Sequence, residues 1–228
     1  MNNFTLLCHS RPRLLKQALD SIGDTSQMHF SIRGDAPTPE VLRIAGEFME
    51  DKVGTLVAVA ESKGTGHARN MVIDSANMDR GDYLYLSDDD ICALRPDWLA
   101  VLIRAYEEAW LHGFRVIGGY NHPYHLPIAS MPCSDGSVVN EIYALALQSM
   151  LMKWEVWDKY GPFCRTPMGK VCQSEDADFC NKIRADGFRI GVVSPALLVN
   201  CGITNSFGEK IVGWEMVKKE APEGIIAE

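Results

Sequence analysis

The chain has 228 residues, 46% of them hydrophobic, and a formal net charge of −8. It can bury a substantial core, and its charge argues against a broad basic surface for nucleic acid or anionic membrane. No apolar run approaches the roughly 20 residues of a membrane span, and the N-terminus lacks a signal-peptide pattern, so a cytoplasmic location is expected. The seven cysteines (Cys8, Cys92, Cys133, Cys164, Cys172, Cys180 and Cys201) include no C-x-x-C pair. They read as reduced core or near-core thiols rather than as a disulfide framework or zinc site.

Phe4 to Cys8 reads as a strand, and Arg13 to Ile22 as a helix with Leu14, Leu15, Ala18, Leu19 and Ile22 on one face. His29 to Arg33 is a second strand, after which Thr38 caps a helix that Pro39 opens. Thr55 to Val59, Ala68 to Ala76 and Asp82 to Leu86 continue as strand, helix and strand. This βαβα rhythm predicts an α/β fold, with a mostly parallel sheet flanked by helices and ligands gathered beyond the carboxyl ends of its strands.

Asp88, Asp89 and Asp90 stand at one such end. Three adjacent carboxylates repel one another and call for a cation. Strand alternation would turn the first and third one way and the middle one into the protein. Hard oxygen ligands favour Mg²⁺ or Mn²⁺, ions that bridge carboxylates to the phosphates of a nucleotide, whereas the plainer alternative is a solvated acidic turn.

Beyond the triplet, Arg95-Pro96-Asp97 opens a helix carrying Leu99, Leu102, Ile103, Tyr106 and Trp110, and Val116 to Gly119 follows as a strand. Asn121 to Val139, rich in proline and turn residues, reads as a long loop over a cleft. Helices are expected at Lys153 to Tyr160 and Glu175 to Asp186, ended by Gly161-Pro162 and Gly187. Strands are expected at Phe188 to Val193 and Ala196 to Val199, and Ala221 to Glu228 reads as a flexible tail.

Four stretches in this order resemble the family 2 glycosyltransferases, which share the GT-A fold. They are Thr5 to Pro12 with the following Leu14-Leu15 helix, the Gly64 to Ala76 stretch with Ala68-Arg69-Asn70, the Asp88-Asp89-Asp90 triplet at the D-x-D position, and an acceptor-side group. That last group comprises Gly161-Pro162-Phe163, Glu175-Asp176-x-Asp178-Phe179 and Asp186-Gly187-Phe188-Arg189. The resemblance implies one GT-A domain over residues 1–220, with a nucleotide-sugar-binding half over 1–95 tightly joined to an acceptor-binding half over 96–220. It also implies a nucleotide-sugar donor, usually a UDP-sugar, and a divalent ion, usually Mn²⁺ or Mg²⁺. Asp90 would bind the ion and Asp88 the ion or the ribose, with Cys8, Ser10, Arg11, Asp35, Arg69 and Asp89 on the donor side. A cation beside the leaving diphosphate stabilises the charge that develops there. Arg69 would either add to that charge or hold the acidic loop.

In this framework Asp176 is the candidate general base and Glu175 its neighbour in orienting the site. A carboxylate at a helix N-terminus is favoured in its ionised form, and direct displacement with one base inverts the anomeric carbon. Taken alone, Ser174, Glu175 and Asp176 would only cap the helix. Two positions depart from the family. Arg33-Gly34-Asp35 stands where an acidic residue usually reads uracil, and Asn200 or Cys201 replaces a histidine that in some relatives helps bind metal.

His122 and His125 read as loop residues touching the acceptor, Trp154 and Trp157 as core, and Tyr83 and Tyr85 as sheet packing. A catalytically silent nucleotide-sugar-binding module of the same fold is the alternative class. A nucleotidyltransferase is disfavoured by the lack of a Gly-rich phosphate loop. The acceptor is a soluble saccharide, a protein or a hydroxylated DNA base. For DNA, Arg165, Lys170, Arg184, Lys218 and Lys219 would have to gather at the cleft.

Overall fold

The computed structural model describes residues 1–120, 126–146, 148–164 and 175–202. The first half runs β1 (Asn2–Cys8), α1 (Pro12–Ser21), β2 (Met28–Asp35), α2 (Pro39–Met49), β3 (Gly54–Val59), α3 (Thr65–Ala76) and β4 (Tyr83–Asp88). Then come β5 (Ile91–Ala93), α4 (Trp98–Leu111), β6 (Phe114–Gly118), β7 (Ala129–Pro132), β8 (Val138–Glu141) and β9 (Ser149–Lys153). The described chain closes with α5 (Trp154–Tyr160), α6 (Glu175–Ala185), β10 (Arg189–Ser194) and β11 (Leu198–Asn200).

A nine-stranded sheet has the order β3-β2-β1-β4-β9-β6-β10-β8-β7. Strands β1 to β4 are mutually parallel, as are β6 and β10, and antiparallel β9 is inserted between β4 and β6. The expected α/β architecture, a large mostly parallel sheet flanked by helices, is what forms. One face packs Phe4, Phe30 and Tyr85 against α1, α2 and α4 through Leu15, Val41 and Trp98. The other packs Leu84, Leu86 and Met150 against α3, α5 and α6 through Ile73, Trp157 and Phe179. Each sheet face thus has its own apolar layer, as alternation along the strands requires.

Local signals account for the helices. Thr38 accepts a hydrogen bond from the Val41 N–H at 3.3 Å and Pro39 fills the first turn of α2, while Pro12 opens α1 directly after Arg11. Trp154, Trp157 and Tyr85 are buried, as core and sheet packing demand. Cys8, Cys92, Cys133, Cys180 and Cys201 are buried free thiols, and Cys164 is half-buried.

Three elements correct the sequence reading. Asn121 to Val139 is not wholly a loop: β7 and β8 form an antiparallel hairpin on the sheet edge, joined across a turn where the Gly136 N–H bonds the Cys133 carbonyl at 3.1 Å. Strand β9 is not expected from sequence: its short Ser149–Lys153 run passes straight into α5 at Trp154, with no turn residue to mark the boundary. Strand β5 follows the acidic turn and pairs with β11, which begins two residues later than the strand expected from Ala196. His122, His125, Arg165, Lys170, Cys172, Ser174, Lys218, Lys219 and the expected tail lie outside the described residues.

Candidate active site

The carboxyl ends of β1, β2 and β4 lie side by side, with Leu7 in register with both Arg33 and Asp88. Strand β4 stops at Asp88, and residues 89–90 form a turn before β5. Alternation therefore ends there, and the ion pairs do not follow the expected first-and-third grouping. Arg69 from α3 donates to Asp88 Oδ1. Arg11, at the N-terminal boundary of α1, sets Nη1 2.7 Å from Asp90 Oδ2 and Nη2 against Asp89 Oδ1. The His9 N–H donates to Asp89 Oδ2 at 3.2 Å, and the Cys201 N–H to the Asp90 carbonyl at 2.7 Å.

Burial raises the Asp90 carboxyl to about 7; Arg11 opposes the shift, and the charges of Asp88 and Asp89 add to it. Asp89 is raised for the same leading reason. Asp90 Oδ1 is buried without a hydrogen-bond partner. Among the described residues the aspartates are ion-paired with Arg11 and Arg69, and Asp90 Oδ1 remains an orphaned hard oxygen beside them. That donor set fits a divalent cation. Among the described residues no three His, Cys, Asp or Glu side chains are grouped to hold one. A bound ion would therefore complete its shell with diphosphate and water. Asn200 is not turned to the carboxylates: its Oδ1 accepts from the Gly202 N–H at 2.7 Å and its Nδ2 donates to Gln148 Oε1 at 3.0 Å.

On the β2 side, Asp35 Oδ2 accepts from the Ser62 hydroxyl at 2.5 Å, while Asp35 Oδ1 and Arg33 Nε are buried without partners. The His9 ring meets the Asp35 carbonyl through Nδ1. Ser10 is exposed on the same turn. The Cys8 thiol is instead turned into the core, 3.5 Å from the Arg33 carbonyl, and burial pushes it up to about 12.

The residues expected on the acceptor side reach the same region through α3. Asn70 Nδ2 donates to the Phe163 carbonyl at 3.0 Å, and the Phe163 N–H donates back to Asn70 Oδ1 at 2.9 Å. The Phe163 ring packs 5.0 Å from both Trp157 and Phe179, which fixes the turn against α5 and α6. Gly66 then lets α6 approach: a Cβ there would lie 2.4 Å from the Cys164 carbonyl oxygen and 2.6 Å from Glu175 Oε2. Glu175 is buried with that oxygen unpartnered. Burial raises its pKa, opposed by Arg69. Asp176, half-buried beside it in the first turn of α6, accepts the Ala177 N–H on Oδ1 at 2.9 Å. Asn70, Gly66 and Gln148 had no role assigned from sequence; Asn70 and Gly66 lie within the Gly64 to Ala76 motif, the one signal that could have pointed to two of them. Arg184 sits in the last turn of α6, 3.5 Å from Glu141, at the opposite end of that helix from Glu175.

Solved structures share this arrangement of sheet and helices. The fold is that of glycosyltransferases. A mannosyltransferase from Pyrobaculum calidifontis, solved with GDP-Man and Mn²⁺, aligns with TM-score 0.59 at 17% identity over 83% of this chain and 56% of its own. Residues of S. aureus TarS solved with UDP-GlcNAc align with TM-score 0.64 at 15% identity, over 87% of this chain and 57% of theirs. The UDP complex of the same protein aligns equally well, with 59% of its chain covered. This chain thus spans little more than half the length of these structures. No protein-family model matches the sequence, and no curated protein matches it. Among the described residues no helix is long and apolar enough to cross a membrane.

Proposed function

We propose that this chain transfers a sugar from a nucleoside-diphosphate sugar, a UDP-sugar, to an acceptor hydroxyl, with inversion at the anomeric carbon. The observation that carries the reading is the meeting of two groups across one helix. Arg69 of α3 holds Asp88 of the acidic turn, while Gly66 and Asn70 of the same helix seat Glu175 and the Phe163 turn. The fold shared with structures that hold GDP-Man or UDP-GlcNAc supports a donor of that class.

The residues divide the work as their environments allow. Asp35 Oδ1, buried and unpartnered, accepts an N–H of the nucleobase, and Ser62 fixes its orientation. Asp88 and Asp90 would hold a divalent ion, which when bound supplies Lewis-acid stabilisation of the leaving diphosphate. Arg69 keeps Asp88 in place and contributes its own positive charge to that end of the site. Asp176, in the first turn of α6, accepts the proton of the attacking hydroxyl. Glu175, buried and raised in pKa, holds an acceptor hydroxyl through its free oxygen. With Asp176 as the base, direct displacement by the acceptor hydroxyl inverts the anomeric carbon. The acceptor is a soluble saccharide or a macromolecule, a hydroxylated DNA base among them.

Calorimetric titration with UDP, GDP and UDP-sugars, with and without Mn²⁺, tests the donor half. Metal-dependent binding that discriminates between bases is expected. Binding to none of these ligands would refute the reading, and donor binding without sugar hydrolysis or transfer to any acceptor would identify a silent module.

A further inference from the structure

Around Asp90 every contact but one is fixed. Its carbonyl accepts the Cys201 N–H, and Gly202 stands behind the side chain so closely that a Cβ there would lie 2.4 Å from Asp90 Oδ2 and 2.9 Å from Arg11 Nη1. Asp89 is anchored by the His9 N–H through one oxygen and by Arg11 through the other. The Arg11 side chain is the exception: it is 34% exposed, whereas both carboxylates it holds are 3% exposed. Arg11 is thus the more exposed partner in both pairs. Because its two nitrogens serve two different carboxylates, Arg11 can release one and keep the other.

We infer that Arg11 is a displaceable cation that occupies the Asp90 carboxylate in the donor-free protein and hands it over when a divalent ion arrives with the nucleotide diphosphate. This rests on the donor reading above. Arg11 Nη2 keeps its bond to Asp89, while Nη1 leaves Asp90 Oδ2 and donates to a diphosphate oxygen. Asp90, deeply buried and already one hydrogen bond short at Oδ1, is never left without a cation during the exchange. Two consequences follow from charge alone. A divalent ion entering without nucleotide meets a guanidinium at Asp90, so it binds weakly. An ion entering with diphosphate brings the anion that accepts Arg11, so the two bind cooperatively.

The test measures Mn²⁺ binding to donor-free protein, from the loss of the free-ion paramagnetic resonance signal, and UDP and GDP binding in Mn²⁺ by calorimetry. Wild type is expected to bind Mn²⁺ weakly alone and far more tightly with nucleotide. Arg11→Gln should bind Mn²⁺ alone at least about tenfold more tightly, because a positive charge a few ångströms from the ion is gone, and should bind nucleotide more weakly. Arg11→Lys, which keeps the charge without the fork, should retain weak donor-free Mn²⁺ binding. Donor-free Mn²⁺ affinity in Arg11→Gln equal to or below wild type would overturn the inference. Wild type that binds neither UDP nor GDP would instead count against the donor reading, and the Mn²⁺ measurement would still decide the role of Arg11.

Should Arg11→Gln fail to fold, a crystal structure of wild type with UDP or GDP and Mn²⁺ decides the matter. Arg11 Nη1 is expected beyond about 3.5 Å from Asp90 Oδ2, outside hydrogen-bond range. Retention of the donor-free contact would refute the exchange.

Discussion

Two helical glycines make a controlled test of how the acceptor side is seated. Gly46 lies inside α2 with nothing within 4 Å of an added Cβ, whereas Gly66 in α3 would place that atom 2.4 Å from the Cys164 carbonyl oxygen and 2.6 Å from Glu175 Oε2. On helix propensity alone, alanine stabilises either site by up to ~1 kcal/mol. Gly46→Ala should realise that gain, raising the melting temperature by roughly 2–4 °C for a chain of this size. At Gly66 an ordinary contact requires a displacement of about 1 Å from the Cys164 oxygen and about 0.8 Å from Glu175 Oε2. On its N-terminal side the Cys164 main chain is held by Phe163, which two hydrogen bonds tie to Asn70. Overpacking of this kind costs ~1–3 kcal/mol, so the net effect reverses sign. Much of the displacement falls on Glu175 and the start of α6, and a shift approaching 1 Å at a reacting group costs up to about 100-fold in rate. Urea unfolding of both variants, together with UDP binding in Mn²⁺ and a sugar-transfer assay, separates these effects. Gly66→Ala should be less stable and slow in transfer while still binding UDP. If it proved as stable as Gly46→Ala and transferred at the wild-type rate, the close approach of α3 and α6 would not seat the acceptor side.

Other substitutions and conditions probe separate parts of the site. Asp176→Asn should bind nucleotide as wild type does and lose about 10²–10⁴-fold in transfer rate, the contribution of a positioned general base; a near wild-type rate would exclude Asp176 from that role. Asn70→Ala removes both bonds to Phe163 and leaves buried main-chain groups unpaired, so it should cost about 2 kcal/mol in urea unfolding. Donor-free protein should melt at progressively lower temperature from pH 5.5 to 8. The folded pKa of Asp90, about 7, lies above the unfolded value of about 3.9. The folded state therefore holds the proton longer, and this contribution, complete below pH ~4, is lost as pH rises through about 7. Asp89 and Glu175 shift in the same direction. Exposed carboxylates such as Asp24 and Asp97 are lowered, and their contribution changes only at more acid pH. Asp90→Asn should flatten the slope, and a melting temperature that rose across this window would contradict the burial of uncompensated acid.

How far the sequence discloses this molecule depends on whether a signal is periodic or pairwise. The helices of the first half are legible because an apolar face repeats at the helical period, strands β1, β2 and β4 because short apolar runs stand between those helices, and the acidic turn because like charges at a strand end need a reason. Strand β9 is not, because it is short and passes at Lys153-Trp154 straight into α5 with no turn residue between, and the short β7 and β8 hide among prolines and polar turn residues. The side-chain pairings within the site are harder still. Nothing local tells that Asn70 meets Phe163, 93 residues away, or that one arginine spans Asp89 and Asp90. Yet the Gly64 to Ala76 stretch, noticed as a motif, finds a separate physical reason for three of its members. Gly66 admits Glu175, Arg69 restrains Asp88 and Asn70 clamps the Phe163 turn. Because all three stand within little more than one turn of a single rigid helix, the carboxylates of the acidic turn and those of α6 keep a set separation. A helix that served only the core would need apolar residues at these positions. It carries a glycine, a buried guanidinium and a buried amide there instead, and each makes a tie to α6, to the acidic turn or to the Phe163 turn.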